Sequence, residues 1–287
     1  MKADWSYYNP VNIKTGVGML NKLPELVEKG CWLLVTTAGF TQRGLTDQIK
    51  GLLPDIDLIV YDSVTPNPEL NDLEQATKTF RQEKLTGLIA LGGGSVMDAA
   101  KVLSVTIPSQ IPDPLNQALR QGIKNNWQSK LPLIAIPTTS GTGAEVTPFA
   151  TVWDQTEHKK HSVVGDKVFP EIALIDPELT LNLPEKETLY TGLDAVSHAL
   201  ESLWNINRMP VSQGFAVKAL ELAEAALPQV LATPQNINAR ASMQQASVLA
   251  GLAISQTRTA IAHSISFHSP VTLAFLMVWP VASVWKR

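Results

Sequence analysis

From Trp32 to Asp176, short aliphatic and β-branched runs alternate with longer stretches whose apolar positions recur every three or four residues. That alternation predicts βαβ units and a mostly parallel sheet. The runs Trp32 to Thr36, Leu58 to Tyr61, Gly87 to Leu91, Leu133 to Ile136 and Ile172 to Ile175 read as strands. Asn71 to Lys84 and Ser95 to Val105 read as helices, and three prolines make Ile107 to Pro114 a loop before a short helix near Leu115 to Lys124. After Leu183 the strand pattern stops, and Glu185 to Trp204, Val211 to Leu231 and Asn238 to Ile254 are rich in Ala, Leu, Glu and Gln, which favour helix. The expected organisation is an α/β domain with a parallel sheet over residues 1–183, then an all-α domain over 184–287.

Composition narrows the function more by exclusion than by indication. The chain has 287 residues, 45% of them hydrophobic, enough for a sizeable buried core. Against 26 acidic side chains stand 23 basic ones, a net charge of -3 that gives no electrostatic footprint for nucleic acid. A single cysteine, Cys31, excludes an intramolecular disulfide and any cysteine-rich zinc module and fits a reducing compartment, so a cytoplasmic location is expected. The N-terminus carries no secretory pattern. The long apolar run, Val271 to Trp285, is interrupted by Pro280 and falls short of the roughly 20 residues a spanning helix needs, so no membrane crossing is expected.

Three segments carry candidate chemistry. The strand at Gly87 to Leu91 runs into Gly92-Gly93-Gly94-Ser95 and a helix bearing Asp98 and Lys101. Glycines let the backbone approach a phosphate and a helix N-terminus offers unpaired N–H groups, although a tight turn without ligand would use the same residues. Pro137 to Glu145, with Thr138, Thr139, Ser140 and Thr142, follows another strand and places hydroxyls where open α/β sheets bind ligands. Two such loops on neighbouring strands point to a nucleotide. Asp194 and His198, four apart, share one helix face; such a pair more often forms an intrahelical hydrogen bond, but His263 would complete a three-ligand oxygen and nitrogen site suited to Fe²⁺ or Zn²⁺.

These stretches, together with Thr65-Pro66-Asn67-Pro68, Pro170 to Pro177 and Gly251 to His263, closely resemble the iron-dependent (group III) alcohol dehydrogenases, which share the dehydroquinate synthase-like fold. The resemblance implies an NAD(P)-dependent, metal-dependent alcohol dehydrogenase or aldehyde reductase acting on a small alcohol or aldehyde, as a homodimer. It implies Asp194, His198 and His263 as metal ligands and catalytic centre, with iron expected and zinc possible. Gly93, Gly94 and Ser95 match the family's pyrophosphate loop, Thr138, Thr139 and Thr142 its second cofactor loop, and Asn67, Asp98 and Lys160 further cofactor positions. Where NAD-preferring members often carry Val-Thr-Asp, this chain has Val35-Thr36-Thr37, so NADP is expected to be accepted at least as well as NAD. His158, His161 and His268 lie outside these motifs and read as surface or tail residues. A short, polar aldehyde is the expected substrate.

The resemblance departs after Ser266. Phe267 stands where some members have a proton-relaying histidine, and Met277 stands where the family has a fourth ligand histidine. Reading one base earlier, Met277-Val278 must give glycine and Trp279-Pro280 alanine, and permitted codons for His268 to Met277 yield the family's Leu-Thr, a variable residue, and His-Phe-Gly-Val-Pro-His. Residues 267–287 are therefore expected to be an out-of-frame tail on an incomplete helical domain. The alternative function is a truncated, catalytically impaired member that keeps only nucleotide binding or association.

Overall fold

The computed structural model describes residues 4–125, 127–260 and 263. Expectations on the tail, including Phe267, His268 and Met277, lie outside the described residues. The elements in chain order are β1 (Asn12–Thr15), β2 (Cys31–Val35), α1 (Ala38–Gln42), α2 (Leu45–Leu52), β3 (Asp57–Tyr61), α3 (Leu70–Phe80), β4 (Leu85–Gly92), α4 (Gly94–Thr106), β5 (Leu133–Pro137), β6 (Phe149–Asp154), β7 (Lys159–Val164), β8 (Ile172–Ile175), α5 (Glu185–Trp204), α6 (Pro210–Ala232) and α7 (Ile237–Thr257). The chain divides into two compact units: residues 10–138 with 147–176, and residues 1–9, 139–146 and 177–287.

The first unit is built on a six-stranded sheet in the order β1-β8-β5-β4-β2-β3, every pairing parallel. Strands covered on both faces should be apolar throughout, and the last six residues of β4 are all buried. From β2 the chain first builds outward to β3, then returns to place β4 on the other side of β2. The strand order thus reverses between β2 and β4, where open α/β sheets form a ligand crevice at their carboxyl ends.

Several local features differ from the pattern reading. Helix α3 stops at Phe80, not Lys84, because Arg81 turns its guanidinium to the carbonyls of Thr106, Ile107 and Ile111 and so caps α4. The expected short helix is a single π-type turn over Asn116–Arg120. Strand β1 and the antiparallel β6–β7 hairpin were not expected. Buried Lys101 ties that hairpin to α4 by donating to the carbonyls of Thr147 and Phe149 and to the Thr147 hydroxyl. Burial without such partners would be costly for an ammonium.

The second unit is mainly α5, α6 and α7. Its core is dominated by alanine, among them Ala195, Ala199, Ala216, Ala219, Ala223, Ala246, Ala250 and Ala253. Small side chains let helices pack closely, and Leu193, Leu227, Val230 and Met243 fill the remaining volume. Residues 139–146 pack on α7 at two glycines: a Cβ on Gly143, whose φ is +60°, would lie 2.5 Å from Gly251 Cα. No helix among the described residues is long and apolar enough to cross a membrane.

Candidate metal and cofactor sites

In the sheet unit, Thr37, Gly93, Gly94, Ser95 and Thr138, five of the residues expected to bind a cofactor, lie at the carboxyl ends of β2, β4 and β5, and Asn67 of the loop after β3 meets Ser95. Gly92 ends β4 with Val96 so close that a Cβ would fall 2.6 Å from its side chain. Gly93 caps α4 in an extended conformation without supplying a side-chain cap, so the first N–H groups of this 13-residue helix have no such partner from it. Asn67, held at φ 59°, donates its backbone N–H to Ser95 Oγ at 3.3 Å. Thr138 is buried, its N–H bonded to Gly92 O at 2.9 Å, which joins the two loops. Thr37 caps α1 just beyond β2 and bridges to Ser63.

Asp98 and Lys160 are engaged differently. Asp98 accepts from Thr151 N at 2.9 Å and lies 3.7 Å from Lys101 Nζ, while Lys160 is exposed with its ammonium 5.2 Å from the Trp153 ring. Burial raises the Asp98 carboxyl above the usual range, partly offset by Lys101, Thr151 and Lys160. His161 is half-buried rather than at the surface, 4.0 Å from Asp154, whereas His158 is exposed. In the helical unit, Thr139 and Thr142 are half-buried, and Thr142 Oγ1 accepts from Ala144 N at 3.3 Å.

The helical unit also brings Asp194, His198 and His263 together, with one ligand atom from each lying within 4.8 Å of the others. His198 Nε2 is 3.6 Å and His263 Nε2 is 3.4 Å from the same oxygen, Asp194 Oδ1. Ligand atoms about 2.0–2.2 Å from a zinc-like ion in a tetrahedral arrangement stand about 3.3–3.6 Å apart, so each histidine's separation from Asp194 Oδ1 is that of two donors on one cation. The imidazoles stack at 4.7 Å, and their Nδ1 atoms are engaged on the far side: His198 with Gly141 O at 3.3 Å, His263 with Glu201 Oε2 at 2.7 Å. Both Nε2 atoms thus face Asp194 Oδ1, and a second partner on Nδ1 is the arrangement that metal-binding histidines usually show.

Electrostatics agree with that donor set. Burial pushes His198 down, favouring the neutral ligand form. Burial also works against a charged His263, but hydrogen bonds and charge from Asp194 and Glu201 outweigh it and hold the imidazole at about 9. An unmetallated cluster would therefore carry a proton where the ion would sit. Sequence reasoning missed Glu201 as a participant, although it follows His198 by three positions on α5 and could have been found from the 194, 198, 201 spacing.

A parallel α/β unit with glycine and threonine loops at its strand ends is thus joined in one chain to helices bearing an Asp/His/His cluster, the two-part architecture expected of the family that the sequence resembles. The chain belongs to the iron-containing alcohol dehydrogenase family, which it matches over residues 10–177, with the family's C-terminal region matched over 188–275. It is 32% identical over 238 residues to the NAD-dependent methanol dehydrogenase of Bacillus methanolicus, covering 82% of this chain and 61% of that protein. It is 35% identical over 259 residues to long-chain-alcohol dehydrogenase 1 of Geobacillus thermodenitrificans, covering 88% and 64%. The sulfoacetaldehyde reductase of Bifidobacterium kashiwanohense, solved with NAD+, superposes with a TM-score of 0.85 at 30% identity over 93% of this chain and 71% of that one. The chain thus spans less than two thirds of the length of these two curated relatives.

Proposed function

We propose that this chain is an NAD(P)-linked alcohol dehydrogenase or aldehyde reductase with a divalent cation, iron or zinc, held by Asp194, His198 and His263. The observation that carries the reading is the convergence of both Nε2 atoms on Asp194 Oδ1, with both Nδ1 atoms occupied elsewhere. A cation bound there supplies Lewis-acid polarisation to the oxygen of an alcohol or carbonyl. The protein's own part is to fix the three donors, bind the pyrophosphate against Gly93, Gly94 and Ser95, and orient the nicotinamide for hydride transfer, which is the cofactor's chemistry. A short, polar aldehyde and a cofactor preference that includes NADP follow as the finer reading, the latter from Thr37. The test is the metal content of the purified chain beside aldehyde-dependent oxidation of NADH and NADPH. One equivalent of metal, lost in Asp194→Ala and His198→Ala, supports the reading; metal content unchanged by both substitutions overturns it.

A second reading rests on the tail residues themselves. If residues 267–287 are translated out of frame, Met277 replaces a fourth donor, and the chain binds metal weakly and turns over slowly. Restoring one base near the Phe267 codon then recovers metal and activity. A gene whose codons cannot encode the shifted histidine refutes it.

A further inference from the structure

Glu201 is a carboxylate with no exposed side-chain surface, and it is hydrogen-bonded to the segment that carries His263. Its Oε2 accepts from the Ala260 N–H at 2.8 Å and meets His263 Nδ1 at 2.7 Å; its Oε1 accepts from the His263 N–H at 3.2 Å. This segment begins where Arg258, at φ 62°, breaks away from α7, and Asn205 Nδ2 donates to the Arg258 carbonyl at 3.4 Å. An ionised carboxylate only accepts, so the 2.7 Å contact requires the proton of His263 on Nδ1. A glutamate buried this deeply costs solvation, yet two backbone donors and one imidazole donor satisfy it.

We propose that Glu201 is the positioning residue of the third ligand: it locks His263 with its proton on Nδ1 and its Nε2 aimed at Asp194, and it raises the donor strength of that imidazole. The proposal rests on the reading of Asp194, His198 and His263 as metal ligands. It also makes the two histidines unequal. His198 is backed by the neutral Gly141 carbonyl at 3.3 Å, His263 by a charged oxygen at 2.7 Å, so His263 is the ligand whose strength depends on its support.

Zn²⁺ affinity of the full chain, measured by competition with a chromophoric chelator, tests this. Glu201→Gln weakens binding by roughly 10–100-fold, because an amide carries no charge and cannot accept all three hydrogen bonds. In a His263→Ala background the same substitution changes affinity by less than about 2-fold, since the acting group is gone. An equal loss in both backgrounds marks a merely structural role and overturns the proposal, as does no loss in Glu201→Gln. A measurement on the unmodified chain stands if the variant fails to fold: imidazole ¹⁵N resonances of the Zn²⁺-loaded protein should show His263 protonated at Nδ1 and bound through Nε2, and the reverse assignment overturns it. If Asp194→Ala and His198→Ala leave Zn²⁺ affinity unchanged, the metal reading falls as well; if they abolish it while Glu201→Gln is neutral, only the role of Glu201 falls.

Discussion

Replacing Gly251 by alanine sets two opposing effects against each other. In the interior of a helix such as α7, alanine ordinarily stabilises relative to glycine by about 0.8–1 kcal/mol. Here the new Cβ would fall 2.7 Å from Val146 Cγ2, 2.8 Å from Gly143 Cα and 2.9 Å from Gly143 O. Carbon atoms rest about 3.5–4.0 Å apart, so the obstructing atoms must retreat by close to ~1 Å. Two of them are backbone, which cannot swing aside as the end of a flexible side chain can. Overpacking costs about 1–3 kcal/mol, and a backbone obstruction belongs in the upper half of that range. Net of the propensity gain, Gly251→Ala should destabilise by about 1–2 kcal/mol, a fall of roughly 2–8 °C in Tm for a protein of this size. The retreat also moves the Gly141 carbonyl, two residues upstream of Gly143, away from His198 Nδ1, so metal affinity should drop with stability. Gly214→Ala in α6 is the control: nothing lies within 4 Å of its Cβ position, and stability should rise by up to about 1 kcal/mol. Denaturation of both variants followed by circular dichroism, beside Zn²⁺ affinity, is the assay. A Gly251→Ala protein as stable as its parent with unchanged affinity would refute the reasoning.

Three further outcomes follow from the sheet unit. Thr37→Asp should weaken NADPH binding by about tenfold or more while sparing NADH, because a carboxylate at the end of β2 repels a 2′-phosphate; dissociation constants check this, and a strong NADH preference in the unmutated chain contradicts it. Arg120 pairs bidentately with the buried Asp154, at 2.6 and 2.9 Å, so Arg120→Met leaves that carboxylate without its guanidinium, held only by the N–H groups of Thr156 and Glu157 with His161 nearby, and should cost about 1–3 kcal/mol in urea denaturation. Hydrogen bonding to Arg120 holds Asp154 far below the usual carboxylate range; its contribution is complete above the unfolded value near 4, declines as pH falls through the folded value, and should be reduced in Arg120→Met. Burial, then Asp57, pushes the Cys31 thiol up to about 11, so alkylation should be slow at pH 8 and accelerate toward pH 11; rapid labelling at neutral pH would contradict that.

The elements most legible in the sequence were those whose period is set by burial. β4 and β5 are apolar because both faces are covered, and α5 spans the same residues in pattern and structure. Asp194 and His198 were readable because i, i+4 spacing fixes a shared face. The β6–β7 hairpin escaped although Ala150, Val152 and Asp154 alternate inward, because its turn over Gln155 to His158 contains none of the glycine dipeptides that mark tight hairpins, and His158 takes the left-handed conformation itself. Arg81 ended α3 early through carbonyls some 25 to 30 residues away, which no local window contains. The Gly141 carbonyl was equally invisible, since every residue has one and only tertiary packing decides which becomes a histidine's partner. Glu201 follows His198 by three positions on α5, but its role depends on the path of the chain after α7.

That path bears on how the molecule is made. The helical unit is drawn from three separated stretches, and residues 139–146 emerge well before the partners they need: His198 lies 57 positions beyond Gly141, and Gly251 lies 108 beyond Gly143. Closing such loops carries an entropic cost that grows slowly with length, but the contacts cannot form at all until the later helices exist. During vectorial synthesis the sheet strands β1 to β8 are complete by Ile175, while the cluster of Asp194, His198 and His263 waits for nearly ninety more residues. The nascent chain can therefore pair its sheet and complete the glycine turn after β4 long before it holds the three side chains of the proposed cation site, so any metal taken up there must follow the synthesis of α7.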